Sequence, residues 1–205
     1  MVEIPTMTRR DTLYALALSV FGTGFAASGV GCSAESSKVL AESNNSSRKL
    51  VAYLSRSGNT RVIAGQLKRT FSADIFEIRT ATPWPEDYEE MVAWASRMRT
   101  SATPPPLAES VSEIGKYDVV FLGSPIWGEA LPAPVRTFLT THNLSGKTLV
   151  PFFTYGCCGA GSAPETIAKL APRAKIMEPF SLKCDQERDT MNSVNDWLRS
   201  AKAQL

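Results

Sequence analysis

Apolar residues along this chain fall into short unbroken runs, separated by longer segments with helical spacing. Leu50-Val51-Ala52-Tyr53-Leu54 is such a run, the mark of a strand buried on both faces. From Thr60 to Phe71, Val62, Ile63, Leu67 and Phe71 recur at helical spacing. Asp74 to Ile78 reads as a second strand. After a loop of prolines and aromatics (Thr82 to Tyr88), Met91, Ala95 and Met98 share one helical face. Val119 to Leu122 predicts the third strand, Val135 to Leu139 a third helix, and Leu149 to Phe153 a fourth strand. Pro151 objects mildly to a central place for that strand, because it has no N–H for the ladder. A helix through Ile167 to Leu170, an uninterrupted fifth strand over Ile176 to Leu182 and an amphipathic helix over Met191 to Ala203 complete the series. The alternation predicts an α/β fold, a doubly wound three-layer parallel sheet with right-handed crossovers. Ligands in such sheets lie outside the carboxyl ends of the strands. The loops after the first, third and fourth strands are therefore where function is sought.

The residues before Lys49 follow another plan. Thr8-Arg9-Arg10-Asp11-Thr12-Leu13 leads into an uncharged stretch from Thr12 to Ala34, ending in Ser28-Gly29-Val30-Gly31-Cys32. A charged start, an apolar middle and a small-residue end predict an export signal over 1–34. Its paired arginines and glycine-rich middle resemble the twin-arginine type; an ordinary secretory signal or an uncleaved anchor is the other reading. Cys32 is a candidate lipidated first residue of the mature protein, with Gly29 where such sites usually carry leucine. Residues 35–48, rich in serine and asparagine, read as a flexible linker. The folded domain is then 49–205.

Composition narrows the classes. The 205 residues are 43% hydrophobic and 20% charged, with a net charge of +2, which excludes a disordered chain. Twenty-two cations against twenty anions give no basic face for nucleic acid. His142 is the one histidine, read as a turn residue, so no spare imidazole serves a Cys–His or Ser–His–Asp arrangement. The four cysteines form no C-x-x-C, and no metal site is expected. Asn143 to Thr148 imitates the end of a Walker loop, but its first glycine would fall on Thr141 and a strand follows, so it reads as a turn.

Three loops carry chemistry. Ser55-Arg56-Ser57-Gly58-Asn59-Thr60 brings hydroxyls, a glycine and free amides to a helix N-terminus, which suits a phosphate; a serine-rich helix cap is the plainer reading. Arg56 faces either the phosphate or solvent. Gly123-Ser124-Pro125-Ile126-Trp127-Gly128-Glu129 offers Trp127 as a platform for a planar ring, or as packing for its own loop. Thr154-Tyr155-Gly156-Cys157-Cys158-Gly159-Ala160-Gly161 has glycines that let backbone approach a flat ligand. All three fall on one edge of one sheet.

With these residues in place, the chain from about Lys49 onward resembles the flavodoxin family, and most of all the branch with a Pro-Ile-Trp loop. The resemblance implies a flavodoxin-like fold with five strands in the order 2-1-3-4-5, and FMN as cofactor. It implies that Ser55, Arg56, Ser57, Gly58, Asn59 and Thr60 surround the phosphate. Pro125, Ile126, Trp127 and Gly128 would line the isoalloxazine on one side; Thr154, Tyr155, Gly156, Cys157 and Gly159 would approach it from the other. Gly128 and Glu129 stand where the branch usually has a second tryptophan and a glycine. The net positive charge also departs from the acidic character of familiar flavodoxins. Glu129 near a flavin would disfavour an anionic reduced ring. Trp84 and Tyr88 are expected to pin the loop after the second strand, with a lid role open.

The function implied is an exported FMN-binding electron-transfer protein, working with a redox partner protein or a small-molecule donor or acceptor. It meets membrane only through a signal anchor or a lipid on Cys32. An FMN-dependent NAD(P)H:quinone-type oxidoreductase is the alternative, and a flavin-free binding lipoprotein of the same shape a third. In oxidising surroundings, Cys184 is expected to pair with Cys157 or Cys158. A bridge between those adjacent two needs a strained peptide.

Overall fold

The computed structural model describes residues 47–184 and 187–204. The expected export signal and all of the expected linker before residue 47 lie outside the described residues. Strand β1 (Lys49–Tyr53) leads through the first loop into helix α1 (Asn59–Phe71). Strand β2 (Asp74–Glu77), helix α2 (Tyr88–Thr100), strand β3 (Val119–Pro125) and helix α3 (Ala133–Thr141) follow. Strand β4 (Thr148–Tyr155), helix α4 (Ala163–Leu170), the short strands β5 (Lys175–Ile176) and β6 (Phe180–Lys183) and helix α5 (Glu187–Lys202) complete the chain.

The named strands pair in parallel, and the sheet order is β2-β1-β3-β4-β5, with β6 continuing the edge beside β4. This is the predicted doubly wound flavodoxin-like arrangement. Successive side chains leave a strand on opposite faces, and here both faces are covered. Leu50 and Ala52 of β1, Val120 and Leu122 of β3 and Phe153 of β4 pack with Val135, Phe138 and Ile167 from α3 and α4. Val51, Tyr53, Phe121 and Phe152 pack with Ile63, Leu67, Val194 and Leu198 from α1 and α5. Two-sided burial is why β1 and β3 read as unbroken apolar runs.

The fifth position differs from its expected form. Leu149 pairs with Ile176, whereas Phe152 pairs with Phe180. Three steps along β4 thus match four along the edge, so the edge strand carries one extra residue, a bulge. Pro151 explains the place. Leu149 and Tyr155 both accept bonds from the edge, from Met177 N–H at 2.9 Å and Cys184 N–H at 3.0 Å. Pro151 shares their parity, so its ring nitrogen turns toward the same edge where a ladder donor is missing. A central strand tolerates this proline because the bulge, which contains Pro179, lies opposite.

Two polar motifs prove structural. Lys147 directs its ammonium to the carbonyls of Gly115 (3.3 Å) and Tyr117 (2.5 Å), and Gly146 turns the chain at φ 74°. The Walker imitation is a turn. His142 is buried just past α3; its Nδ1 lies 2.9 Å from the Phe138 carbonyl, and its Nε2 accepts from Val111 N–H at 3.0 Å. That set of partners assigns the proton to Nδ1, and the imidazole fastens the segment before β3 onto α3.

Gly123 lies between Tyr53 and Phe152 in adjacent strands, and a Cβ there would strike the Phe152 ring. Gly123→Ala should therefore lower stability by about 1–3 kcal/mol through overpacking. Urea unfolding checks this; an unchanged midpoint would mean that β3 and β4 yield at no cost.

Candidate functional site

The three loops converge at the carboxyl ends of β1, β3 and β4. In the first, Ser55 is buried, and its Oγ accepts from Gly58 N–H (3.2 Å) and Arg61 N–H (3.3 Å). Ser55 thus folds the loop around itself. Gly58 takes φ 98° at the N-cap of α1, a conformation that favours glycine. The amides of Ser57, Asn59 and Thr60 have no acceptor among the described residues, and the first turn of α1 holds no acid. Unpaired donors at a helix N-terminus form a cradle for an anion.

Thr60 and Arg56 take roles that the sequence did not resolve. Thr60 is buried, and its hydroxyl meets the hydroxyl of Thr154 at 2.8 Å. One hydrogen bond thereby joins the start of α1 to the end of β4, past the end of β3. Arg56 turns away from the amide cluster: it donates to the Glu86 carbonyl at 2.9 Å and lies over the Tyr88 ring at 5.7 Å. It fastens the loop after β2.

The loop after β3 is a hairpin turn. Trp127 N–H donates to the Ala130 carbonyl at 3.1 Å, with Gly128 at φ 57° and Glu129 at φ 60° between them. Two successive left-handed residues define a type I′ turn, and left-handed backbone costs a non-glycine roughly 1–2 kcal/mol. Glu129 is held there from outside. Its carbonyl accepts from Ser162 N–H at 2.9 Å and Ser162 Oγ at 3.2 Å. Gly161 presses so closely that a Cβ would strike the Glu129 backbone. Ile126 N–H donates to the Thr154 carbonyl at 2.9 Å, and Pro125 lies opposite Thr154 in register. The β3 and β4 loops are thus bolted together.

Between them lies a cavity of about 320 Å³ lined by Ile126, Gly128, Glu129, Tyr155, Gly156, Cys157, Cys158 and Gly159. Trp127 is absent from that lining. Its ring meets Trp84 edge-on, centroids 6.0 Å apart, and packs against the buried core. Thr154 is also withdrawn, being buried and bonded to Thr60. Arg99, on α2, was not legible as part of this region, yet its guanidinium sits over the Cα of Gly128. Nothing in the sequence reports that the end of α2 returns to the loop after β3. Ser162 was missed too, although its neighbour Gly161 marks a close backbone approach.

The cysteines do not pair as expected. Cys157, Cys158 and Cys184 are free thiols. The Cys184 thiol turns toward the Leu182 carbonyl, 4.0 Å away. Cys158 instead faces Cys157 and Glu129. The hydrogen bond with Cys157, desolvation, the Cys157 charge and the Glu129 carboxylate together push its thiol up to about 11.

The flavodoxin sequence model matches residues 48–201. The chain belongs to the flavodoxin family. A candidate flavoprotein from Bacteroides eggerthii DSM 20697 is 31% identical, over 75% of this chain and 97% of that one, with a TM-score of 0.65. A second, from Bacteroides uniformis ATCC 8492, is 24% identical over 75% and 98% of the two chains, with a TM-score of 0.66. A flavoprotein from Lactobacillus acidophilus NCFM, solved in complex with FMN, is 18% identical over 71% and 99%, with a TM-score of 0.58. The last two likenesses are of fold. No curated protein matches the chain.

Two predictions follow from the geometry of the β3 and β4 loops. Glu129→Gly should raise stability by about 1 kcal/mol by removing left-handed strain, whereas Gly161→Ala should lower it by more than that. Thermal unfolding of both variants checks the pair, and equal shifts would contradict it. Cys158 remains a thiol below about pH 11, so its alkylation by iodoacetamide should rise about tenfold per pH unit up to that point. Glu129→Gln removes a negative neighbour, lowers the thiol's pKa and should speed alkylation at fixed pH. Site-resolved mass spectrometry reads both; a rate flat above pH 9 contradicts the assignment.

Proposed function

We propose that this chain is an exported electron-transfer protein that binds FMN at the ends of β1, β3 and β4. The observation that carries the reading is the set of unpaired amides of Ser57, Asn59 and Thr60 at the start of α1, joined through Thr60 and Thr154 to the loop that walls the cavity. The donor set fits a phosphate. Family membership and the FMN complex of a protein with the same fold support it further. When bound, FMN supplies one- and two-electron chemistry.

The chain's own residues bind, orient and tune. The three amides and the Ser57 hydroxyl hold the phosphate; Ser55 and Thr60 shape the loop that presents them. Ile126 and Tyr155 offer apolar surface to a ring in the cavity, and Gly156 and Gly159 keep the approach open. Glu129 places a carboxylate on the cavity wall, where it opposes negative charge on a reduced ring. Trp127 and Trp84 brace the turn from behind.

Export rests on the sequence: Arg9-Arg10, the uncharged stretch from Thr12 to Ala34, and Cys32 as a candidate lipid anchor. A twin-arginine route carries folded protein, which suits a cofactor made inside the cell.

Purified protein should show a flavin absorption band, and Ser57→Ala should weaken FMN by about 1–2 kcal/mol in a fluorescence titration, from a lost bond to a charged group. Unchanged affinity would remove the phosphate from this loop. Replacing Arg9 and Arg10 with lysine should trap flavin-loaded protein in the cytoplasm, and undiminished export would count against the twin-arginine route. Rapid aerobic NAD(P)H oxidation by the loaded protein would make it a reductase instead.

A further inference from the structure

The cavity wall carries chemistry that a simple electron carrier does not need. Cys157 and Cys158 are adjacent, exposed and free, and both line the cavity together with Glu129. Their thiols face each other, and Cys158 also faces the Glu129 carboxylate. The backbone of Glu129 is held by the two Ser162 donors to its carbonyl. Gly156 and Gly159 flank the pair with open space around their Cα atoms, and Gly159 already lies at φ 73°. The loop therefore has room to change conformation at this point.

We infer that Cys157 and Cys158 form a two-electron dithiol couple whose substrates are disulfide compounds meeting the mouth of the cavity. The thiolate of Cys157 attacks a substrate R–S–S–R, forming Cys157–S–S–R and releasing one thiolate, which takes a proton from water. Cys158 gives its proton to water and attacks the Cys157 sulfur, closing the Cys157–Cys158 bridge. The second thiolate leaves and takes a proton from water. The dithiol has lost two electrons and two protons, and the disulfide has become two thiols. The Cα atoms of neighbours joined by a trans peptide lie about 3.8 Å apart, below the usual disulfide span of about 4.4–6.8 Å. Such a bridge is strained, so it closes against excess disulfide substrate and reopens readily, unlike a structural staple. FMN held in the same cavity would, once reduced, supply two electrons and two protons to the sulfurs; this half alone rests on the proposed FMN site.

The test treats the full chain with oxidised glutathione and digests it without reduction. Peptide 148–169, which holds both cysteines, should lose two hydrogens and carry no glutathione. Cys158→Ser should stop at a stable glutathione adduct on Cys157. Both thiols remaining free, a lasting adduct in the unaltered chain, or pairing with Cys184 would each overturn the couple. FMN-loaded protein is then titrated anaerobically with dithionite. Bridged protein should take up four electrons per flavin and reduced protein two, and Cys157→Ser should take two in either case. Two electrons per flavin in bridged protein would overturn the transfer from flavin to sulfur. A chain that binds no FMN yet forms the bridge would sink the cofactor assignment and leave the sulfur chemistry established.

Discussion

A parallel sheet covered on both faces has only its strand ends free for polar work. Leu50 to Leu54, Val119 to Leu122 and Leu149 to Phe153 are buried almost throughout, so no functional group can project from the middle of the sheet without an uncompensated desolvation cost. In a parallel sheet all carboxyl ends also lie on one side. The loops that leave β1, β3 and β4 are therefore neighbours, however far apart they stand in sequence. The remainder of the site is a consequence of that crowding.

Crowding alone would leave three mobile loops; a few hydrogen bonds make them one rim. Thr60 and Thr154 are 94 positions apart in the chain and share a buried hydrogen bond at 2.8 Å. Ile126 bonds to the backbone of Thr154, and Ser162 holds the carbonyl of Glu129 twice. Each net bond contributes about 1 kcal/mol, but a buried hydroxyl left without its partner costs more, so the arrangement resists partial opening. Within this rim the α1 amides and the cavity keep a fixed relation to each other. Arg56 extends the bracing outward by gripping the loop after β2.

The rim also stores tension. Glu129 occupies a left-handed conformation that a glycine would adopt freely. It stays because Ser162 and Gly161 leave its backbone no other place. The result is an acidic residue whose backbone is held beside two thiols at the mouth of the cavity. The hydrogen bond with Cys157, aided by desolvation and the nearby carboxylate, pushes the Cys158 thiol up to about 11. Strain of this kind persists only where the surroundings over-determine it, and here the surroundings are the wall of the candidate site itself.

What the sequence determined by itself was the architecture and the loops that meet at the strand ends. Burial on both faces writes a continuous apolar run, and amphipathic cover writes helical spacing, so strands, helices and their alternation are local properties of the chain. Strand order needed the family resemblance, and the structure bears it out. What only tertiary structure decided was the direction of individual side chains. Ser55, Arg56 and Thr60 share one hydroxyl-rich loop, yet Ser55 turns inward to backbone amides, Arg56 outward to Glu86 and Thr60 across to β4. Trp127 reads as a platform in sequence but meets Trp84 in space. Pro151 argues against a central strand until the bulge opposite it is seen. Cys184 and the Cys157–Cys158 pair sit beyond adjacent strands, yet their thiols turn apart. Each outcome depends on a partner many residues away, and a linear pattern carries no information about which distant group will be there.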